Sequence, residues 1–307
     1  MAFLKSVMFL LLAMWYCLEA VLKSLIPRRL RARKNIAGEI VLITGGGSGM
    51  GRLLAVEVAK LHATVVLWDV NESGNAETVD VIRNLGGQAL AYTVDVTKSD
   101  EVYKAAEVVR REVGEVTVVV NNAGVVAGKP LLECPDHLIR RSMDVNVMAH
   151  FWVHKAFLPN MMARNRGHLV TIASLAGFFC FKNMTEYCAS KFATVGLHET
   201  LRMELAHNGL HGIDMTLVCP AFTDTGMFRG AKCSSKFLEP KYVVSKILEG
   251  MLLREKMTCI PGSVFWTVLL KYFIPEKLSL LMQRASGLDR SMDTFVGRQN
   301  GTTPPRR

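Results

Sequence analysis

Paired cysteines are missing from this chain. Its seven cysteines (Cys17, Cys134, Cys180, Cys188, Cys219, Cys233, Cys259) are odd in number and scattered, and no two stand in Cys-x2-Cys spacing. A disulfide scaffold and a zinc centre are thereby excluded, and a reducing compartment is implied. Internal repeats, low-complexity tracts and long linkers are also absent. Acid is scarce: 27 Asp and Glu against 37 Lys and Arg leave a net charge of +10. Such an excess suits a nucleic-acid binder, but its distribution does not. Lys23, Arg28, Arg29, Arg31, Arg33 and Lys34 supply six of the ten charges in one cluster, and no aromatic-basic surface motif occurs elsewhere.

That cluster follows an apolar segment. Val7 to Leu18 is uninterrupted, and the pattern continues past Glu19 to Ile26. Twelve apolar residues are too few to cross a hydrocarbon core of about 30 Å, whereas Val7 to Ile26 suffices if Glu19 and Lys23 lie near the interface. A spanning anchor and a monotopic hairpin or interfacial helix both remain open. A cleaved signal peptide ranks behind them, because no small-x-small cleavage site precedes the basic run. Residues 1–26 are therefore read as a membrane anchor and 27–35 as a basic juxtamembrane segment, which by the positive-inside rule faces the cytosol. The sequons at Asn71, Asn183 and Asn300 are read as coincidental.

From residue 36 on, strand-like and helix-like patterns alternate. Strands are expected near 39–44, 64–69, 88–94, 116–121, 167–173, 213–219 and 257–261, with helices between. This pattern predicts an α/β fold, a single doubly wound domain with a parallel sheet over 36–262. An apolar extension over 263–296, with Val264 to Ile274 its greasiest part, serves as core, partner interface, substrate entry or membrane contact. The tail 297–307 reads as disordered.

The first strand runs into a string of glycines. Glu39 to Thr44 is followed by Gly45-Gly46-Gly47-Ser48-Gly49-Met50-Gly51 and then a helical pattern from Arg52 to Leu61. Strand, glycine turn and helix form a dinucleotide site: glycines let the backbone approach a pyrophosphate, and the helix N-terminus offers N–H groups to the anion. The next strand ends in Asp69, eighteen residues after Gly51, where a carboxylate accepts from ribose hydroxyls. A 2′-phosphate about 4 Å from that carboxylate meets repulsion of roughly 4 kcal/mol per charge pair at an effective dielectric of 20. Ser48 offers no cation to offset it. NAD is thus expected over NADP, with Arg52 the neighbouring cation that bears on the choice.

Tyr187 and Lys191 share one helix face, four residues apart, and Ser174 precedes Tyr187 by thirteen. A lysine ammonium beneath the phenol is expected to draw its pKa down from about 10, making Tyr187 a general acid or base. Ser174 is placed to hold the substrate oxygen while a hydride moves.

With both halves in view, the chain from about Ile36 to Ile260 resembles the short-chain dehydrogenase/reductase family. The resemblance rests on Thr44 to Gly51, on Asp95 in Val-Asp-Val, on Asn-Asn-Ala-Gly at 121–124, on Asn146, and on Ser174, Tyr187 and Lys191. It implies a catalytic tetrad of Asn146, Ser174, Tyr187 and Lys191, with Asn146 shaping its helix so that a water relays protons to Lys191. It also implies that Thr44, Gly45, Ser48, Gly49, Met50, Gly51, Asp69, Asp95, Val96, Asn122, Ala123, Gly124, Tyr187, Lys191, Pro220, Thr223 and Thr225 contact NAD. The family's Pro-Gly is Pro220-Ala221 here, which puts that turn's geometry in doubt wherever φ > 0 is required. Within the family the chain resembles the membrane-bound retinol and 17β-hydroxysteroid dehydrogenase branch. This implies a hydrophobic alcohol as substrate, retinol before a hydroxysteroid, and an endoplasmic reticulum or lipid-droplet membrane. Family habit adds a homo-oligomer formed through the helices carrying Asn146 and Tyr187.

The residues around the catalytic pair agree with a greasy substrate. Leu175, Phe178, Phe179, Phe181 and Met184 flank one side and Phe222, Met227 and Phe228 the other, with Ser174, Leu175, Phe181, Phe222 and Met227 the expected substrate contacts. No Arg or Lys pair is present there to hold a carboxylate or phosphate.

Overall fold

The computed structural model describes residues 2–232 and 236–298. Cys233, the Asn300 sequon and the tail from 299 lie outside the described residues. The chain divides into two compact units, Met1–Asn35 and Ile36–Arg307.

The first unit is helix α1, Ala2–Leu25, followed by a short turn Arg28–Leu30 that Arg31 ties back by donating from Nε to the Ile26 carbonyl at 3.0 Å. Leu4, Phe9, Met14, Trp15 and Leu22 are exposed on it. Among the described residues no helix is long and apolar enough to cross a membrane, so the spanning alternative for Val7–Ile26 finds no support in the fold.

In the second unit all seven expected strands form: β1 (Ile40–Thr44), β2 (Thr64–Asp69), β3 (Gln88–Thr93), β4 (Val118–Asn121), β5 (Gly167–Ile172), β6 (Ile213–Pro220) and β7 (Met257–Ile260). They make one parallel sheet in the order β3-β2-β1-β4-β5-β6-β7. Successive side chains on a strand point to opposite faces, and both faces here are covered by helices. Val41, Ile43, Val65, Leu67, Val118 and Val120 therefore enter one apolar cluster, with α2 (Gly49–Ala59), α3 (Glu72–Asn84) and α8 (Pro240–Leu252). Leu42, Val66, Trp68 and Val119 enter another, with α4 (Ser99–Glu112), α6 (Ala149–Arg164) and the C-terminal part of α7 (Thr185–His207). A short α5 (Asp136–Met143) leads into α6. The strand order reverses between β1 and β4, which opens a crevice at their carboxyl ends.

Helix α2 begins at Gly49, three residues earlier than the apolar periodicity indicates, so the glycines of the loop themselves form its first turn. A Cβ on Gly51 would sit 2.1 Å from the Gly45 carbonyl oxygen; only glycine permits this backbone approach. Beyond β7, α9 (Val264–Leu270) and α10 (Glu276–Ala285) complete the unit. The apolar extension divides its roles: Val264 and Val268 pack against the buried cluster of Leu175, Val195, Leu217 and Cys259, while Trp266, Tyr272 and Phe273 are exposed.

Three buried histidines lie behind the crevice. His154 Nε2 is 2.9 Å from Asn121 Nδ2, His198 Nδ1 is 2.9 Å from Thr171 Oγ1, and the His150 and His154 rings meet edge-on. Burial depresses all three, His154 to about 4 and His198 to about 3. Neutral in the fold, they bind protons readily only when unfolded, at the ordinary value near 6.5. Their contribution to stability is complete above pH 6.5 and is lost as pH falls towards 4. The unfolding free energy should drop by about 1.4 kcal/mol per pH unit for each of His154 and His198 between pH 6 and 4. Urea titrations at pH 7, 6 and 5 check this, and a His154→Gln variant should show a shallower slope; equal stability across the three would contradict it.

Candidate active site

The crevice is assembled from strand ends. Thr44, last in β1, accepts at Oγ1 from the backbone N–H groups of Asn122 (3.0 Å) and Ala123 (3.1 Å) just past β4. Asn122 replies by donating from Nδ2 to the carbonyls of Thr44 (2.9 Å) and Gly45 (3.3 Å). These bonds join the two strands at the switch point. Ser48 caps α2 without a side-chain bond to its first turn, so the N–H groups of that turn face the crevice.

Asp69 closes the adjoining side. Its carboxylate accepts from Gly47 N and Asn71 N, each at 3.0 Å, and a Cβ on Gly47 would stand 3.0 Å from Asp69 Oδ2. Arg52 is occupied elsewhere. Its guanidinium donates to the Gly47 carbonyl (2.6 Å), the Gly74 carbonyl (3.1 Å) and Thr78 Oγ1 (3.0 Å), and pairs with Glu77 at 2.9 Å. It supports the loop and is neutralised by Glu77, so it does not offset Asp69. Asp95, beyond β3, accepts from the N–H and hydroxyl of Thr97, and the neighbouring Val96 is buried. A cradle that admits only glycine, an uncapped helix N-terminus and an anchored carboxylate together fit a dinucleotide.

Asn146 lies in a π-helical turn, Asp144–Met148, between α5 and α6. Its side chain accepts from Val125 N and donates to Val125 O and Ser190 Oγ, each at 2.9 Å. Ser190 in turn donates to the Tyr187 carbonyl at 2.8 Å, and Thr194 donates to the Asn146 carbonyl at 2.7 Å. Glu186 fixes the same region by accepting from Ala127 N and Gly128 N. Neither Glu186 nor Ser190 carries a sequence signal beyond its nearness to Tyr187. The π turn carries none.

Lys191 is buried and donates from Nζ to the Ile172 carbonyl at 3.0 Å; Nζ lies 5.7 Å from the centre of the Tyr187 ring. Burial pushes it down to about 8. The Tyr187 phenol, against expectation, is held above its ordinary value: burial raises it more than the hydrogen bond with Ser174 lowers it, and Lys191 is directed at the strand carbonyl. Tyr187 therefore rests as a neutral proton donor. Ser174 Oγ accepts from Ala176 N at 3.1 Å and donates to the Pro220 carbonyl at 3.4 Å, which places it between β5 and β6.

The loop after Pro220 is ordered by Thr223, which is buried and donates to the Ala221 carbonyl at 2.9 Å, and by Thr225 N donating to the Thr223 carbonyl. Ala221 is not among the residues with positive φ, so exchanging glycine for alanine introduces no strain there. Phe181, Met184, Phe222 and Phe228 gather around Tyr187 in one apolar cluster, with Phe228 edge-on to the tyrosine at 5.9 Å. Leu175, Phe178 and Phe179 belong to a different cluster, against β6 and β7; Met227 is half-buried and in neither. Met292 and Phe295, from the C-terminal segment, complete the tyrosine's cluster. No regular spacing in the sequence points to them.

Six of the seven cysteines are free thiols, and among the described residues no cluster could hold a metal.

A family model for short chain dehydrogenase matches residues 39–234. Epidermal retinol dehydrogenase 2 of Homo sapiens is 45% identical over 297 residues, covering 95% of each chain. Retinol dehydrogenase 10 of Homo sapiens is 42% identical over 301 residues, covering 88% of each. Among solved structures, a short chain dehydrogenase/reductase from Burkholderia phymatum in complex with NAD is 30% identical, with a TM-score of 0.72 over 81% of this chain and 96% of that one. The chain belongs to the short-chain dehydrogenase/reductase family and is a dehydrogenase.

Proposed function

We propose that the protein oxidises a long apolar alcohol, all-trans-retinol foremost, with NAD as acceptor, at a membrane surface. The observation that carries this reading is the setting of Tyr187: a neutral, buried phenol beside Ser174 and Lys191, enclosed by Phe181, Met184, Phe222, Phe228, Met292 and Phe295. Apolar walls without a cation select a hydrophobic substrate, a steroid as readily as a retinoid. The names of the retinol dehydrogenase relatives favour the retinoid.

NAD, when bound, supplies the hydride acceptor. Thr44, the glycine loop, Asp69, Asp95, Val96, Asn122, Ala123, Gly124, Thr223 and Thr225 would hold it. Ser174 and Tyr187 hold the alcohol oxygen between their hydroxyls. Oxidation starts from a Tyr187 that has released its own proton to solvent; that phenolate, helped by the Ser174 hydrogen bond and the nearby Lys191 charge, takes the hydroxyl proton as the carbinol C–H bond breaks. Asn146 holds the helix of Tyr187 and Lys191 against the β4 exit, so both stay in register with the crevice. In the reverse direction Tyr187 donates that proton to the carbonyl oxygen. Asp69 supports NAD over NADP by charge, Arg52 being already paired with Glu77.

The exposed apolar side chains of α1 and the basic run behind it support attachment to the cytosolic face of the endoplasmic reticulum as an interfacial helix. The exposed Trp266, Tyr272 and Phe273 are a second lipid-facing candidate. Sedimentation with liposomes tests attachment; protein remaining in the supernatant would refute it.

Replacing Tyr187 by Phe should lower kcat for retinol oxidation by about 100- to 10,000-fold while NAD affinity is retained. Turnover within tenfold of the parent would defeat the mechanism. Asp69→Ala should reduce the preference for NAD over NADP, as a ratio of kcat/KM, by about tenfold or more. An unchanged ratio would show that the carboxylate does not select the cofactor.

A further inference from the structure

The segment 291–298 runs back across the mouth of the crevice. Lys232 N donates to the Ser291 carbonyl at 2.8 Å, and the N–H groups of Val296 and Gly297 donate to the Arg229 carbonyl at 2.9 and 3.0 Å. Thr294 Oγ1 donates to the Gly230 carbonyl at 2.6 Å, while Asp293 Oδ1 accepts from Lys182 Nζ at 3.0 Å. Met292 and Phe295 anchor its inner face beside Tyr187. These contacts fix where Arg298 emerges.

Its guanidinium bridges two loops that are far apart in sequence. Arg298 donates from Nη1 to Ser48 Oγ at 3.0 Å and from Nη2 to the Thr225 carbonyl at 3.5 Å. A Cβ on Gly49 would lie 3.3 Å from Arg298 Nη2 and 3.4 Å from Thr225 Cβ. The charge thus stands over the first turn of α2. No carboxylate among the described residues pairs with it, and a guanidinium has five N–H donors, of which two are engaged. The loop's own cation, Arg52, is already bound to the Gly47 and Gly74 carbonyls and paired with Glu77.

We propose that Arg298 is a cofactor-gripping residue, binding the pyrophosphate of the dinucleotide and closing the glycine loop against the Thr225 loop. This rests on the dinucleotide reading given above. A pyrophosphate at the α2 N-terminus presents paired oxygens to a planar fork of donors, the geometry arginine suits best. Asp69 is anchored to Gly47, whereas Arg298 reaches from Ser48 across to the Thr225 carbonyl, and this second contact assigns it to a group common to NAD and NADP.

The test is equilibrium binding of NADH and NADPH, followed by nucleotide fluorescence, to the full-length protein in detergent and to its Arg298→Gln and Arg298→Lys variants. Arg298→Gln should weaken both nucleotides by the same factor, about tenfold, with an unaltered melting temperature, and Arg298→Lys should recover part of the loss. Equal or tighter binding to Arg298→Gln would overturn the proposal, the tighter case marking the arginine as an obstruction. A loss confined to NADPH would overturn it too, by assigning Arg298 to the 2′-phosphate. If the parent protein bound neither nucleotide, the cofactor reading itself would fall, and the proposal with it.

Discussion

The side-chain amide of Asn146 joins two parts of the molecule through both of its N–H donors and its oxygen. One face holds both backbone groups of Val125, where the chain leaves β4; the other donates to Ser190, one turn along from Tyr187. The cofactor side of the site is built on the ends of β1 and β4, and the proton-transfer side on α7. Glu186 strengthens the link by accepting from Ala127 N and Gly128 N, and Lys191 ties α7 to the end of β5. The π turn that presents Asn146 is a local departure from regular helix, and Thr194 stabilises it by donating to the Asn146 carbonyl.

Burial sets the electrostatics on both sides of that link. Tyr187 and Lys191 are driven in opposite directions on the pH scale, the phenol up and the ammonium down to about 8, because each loses solvation of its charged form. The histidines behind the site follow the same rule and remain neutral. Burial thus disfavours charge throughout the interior, and the chemistry takes place at the carboxyl ends of the central strands.

Much of this was legible in the amino-acid order. Period-two alternation through runs such as Val-Val-Leu-Trp places Val65 and Leu67 on one face and Val66 and Trp68 on the other, and both faces are covered as a parallel sheet demands. Gly51 and Asp69 were readable because their spacing follows from the chemistry of a phosphate and a ribose. Other features were not readable, since they depend on contacts between segments distant in sequence. Arg52 stands beside the glycine loop, yet it is Glu77, on the next helix, that neutralises it. Met292 and Phe295 reach Tyr187 only because the C-terminal segment folds back over the cleft. The resting state of Tyr187 is hidden for a related reason: an i,i+4 spacing places Lys191 nearby but does not reveal how deeply the phenol is buried, nor that Lys191 donates to the Ile172 carbonyl.

Direct hydride transfer from a lipid alcohol at this crevice is the reaction to which every part of the site is fitted. The most direct measurement is the fate of the label when all-trans-retinol, deuterated at the carbinol carbon, is oxidised with NAD by the membrane-bound protein. One deuterium recovered in the reduced cofactor for each retinal formed is the predicted result. Retinal formed with the deuterium lost to solvent, or turnover restricted to small polar alcohols, would contradict it.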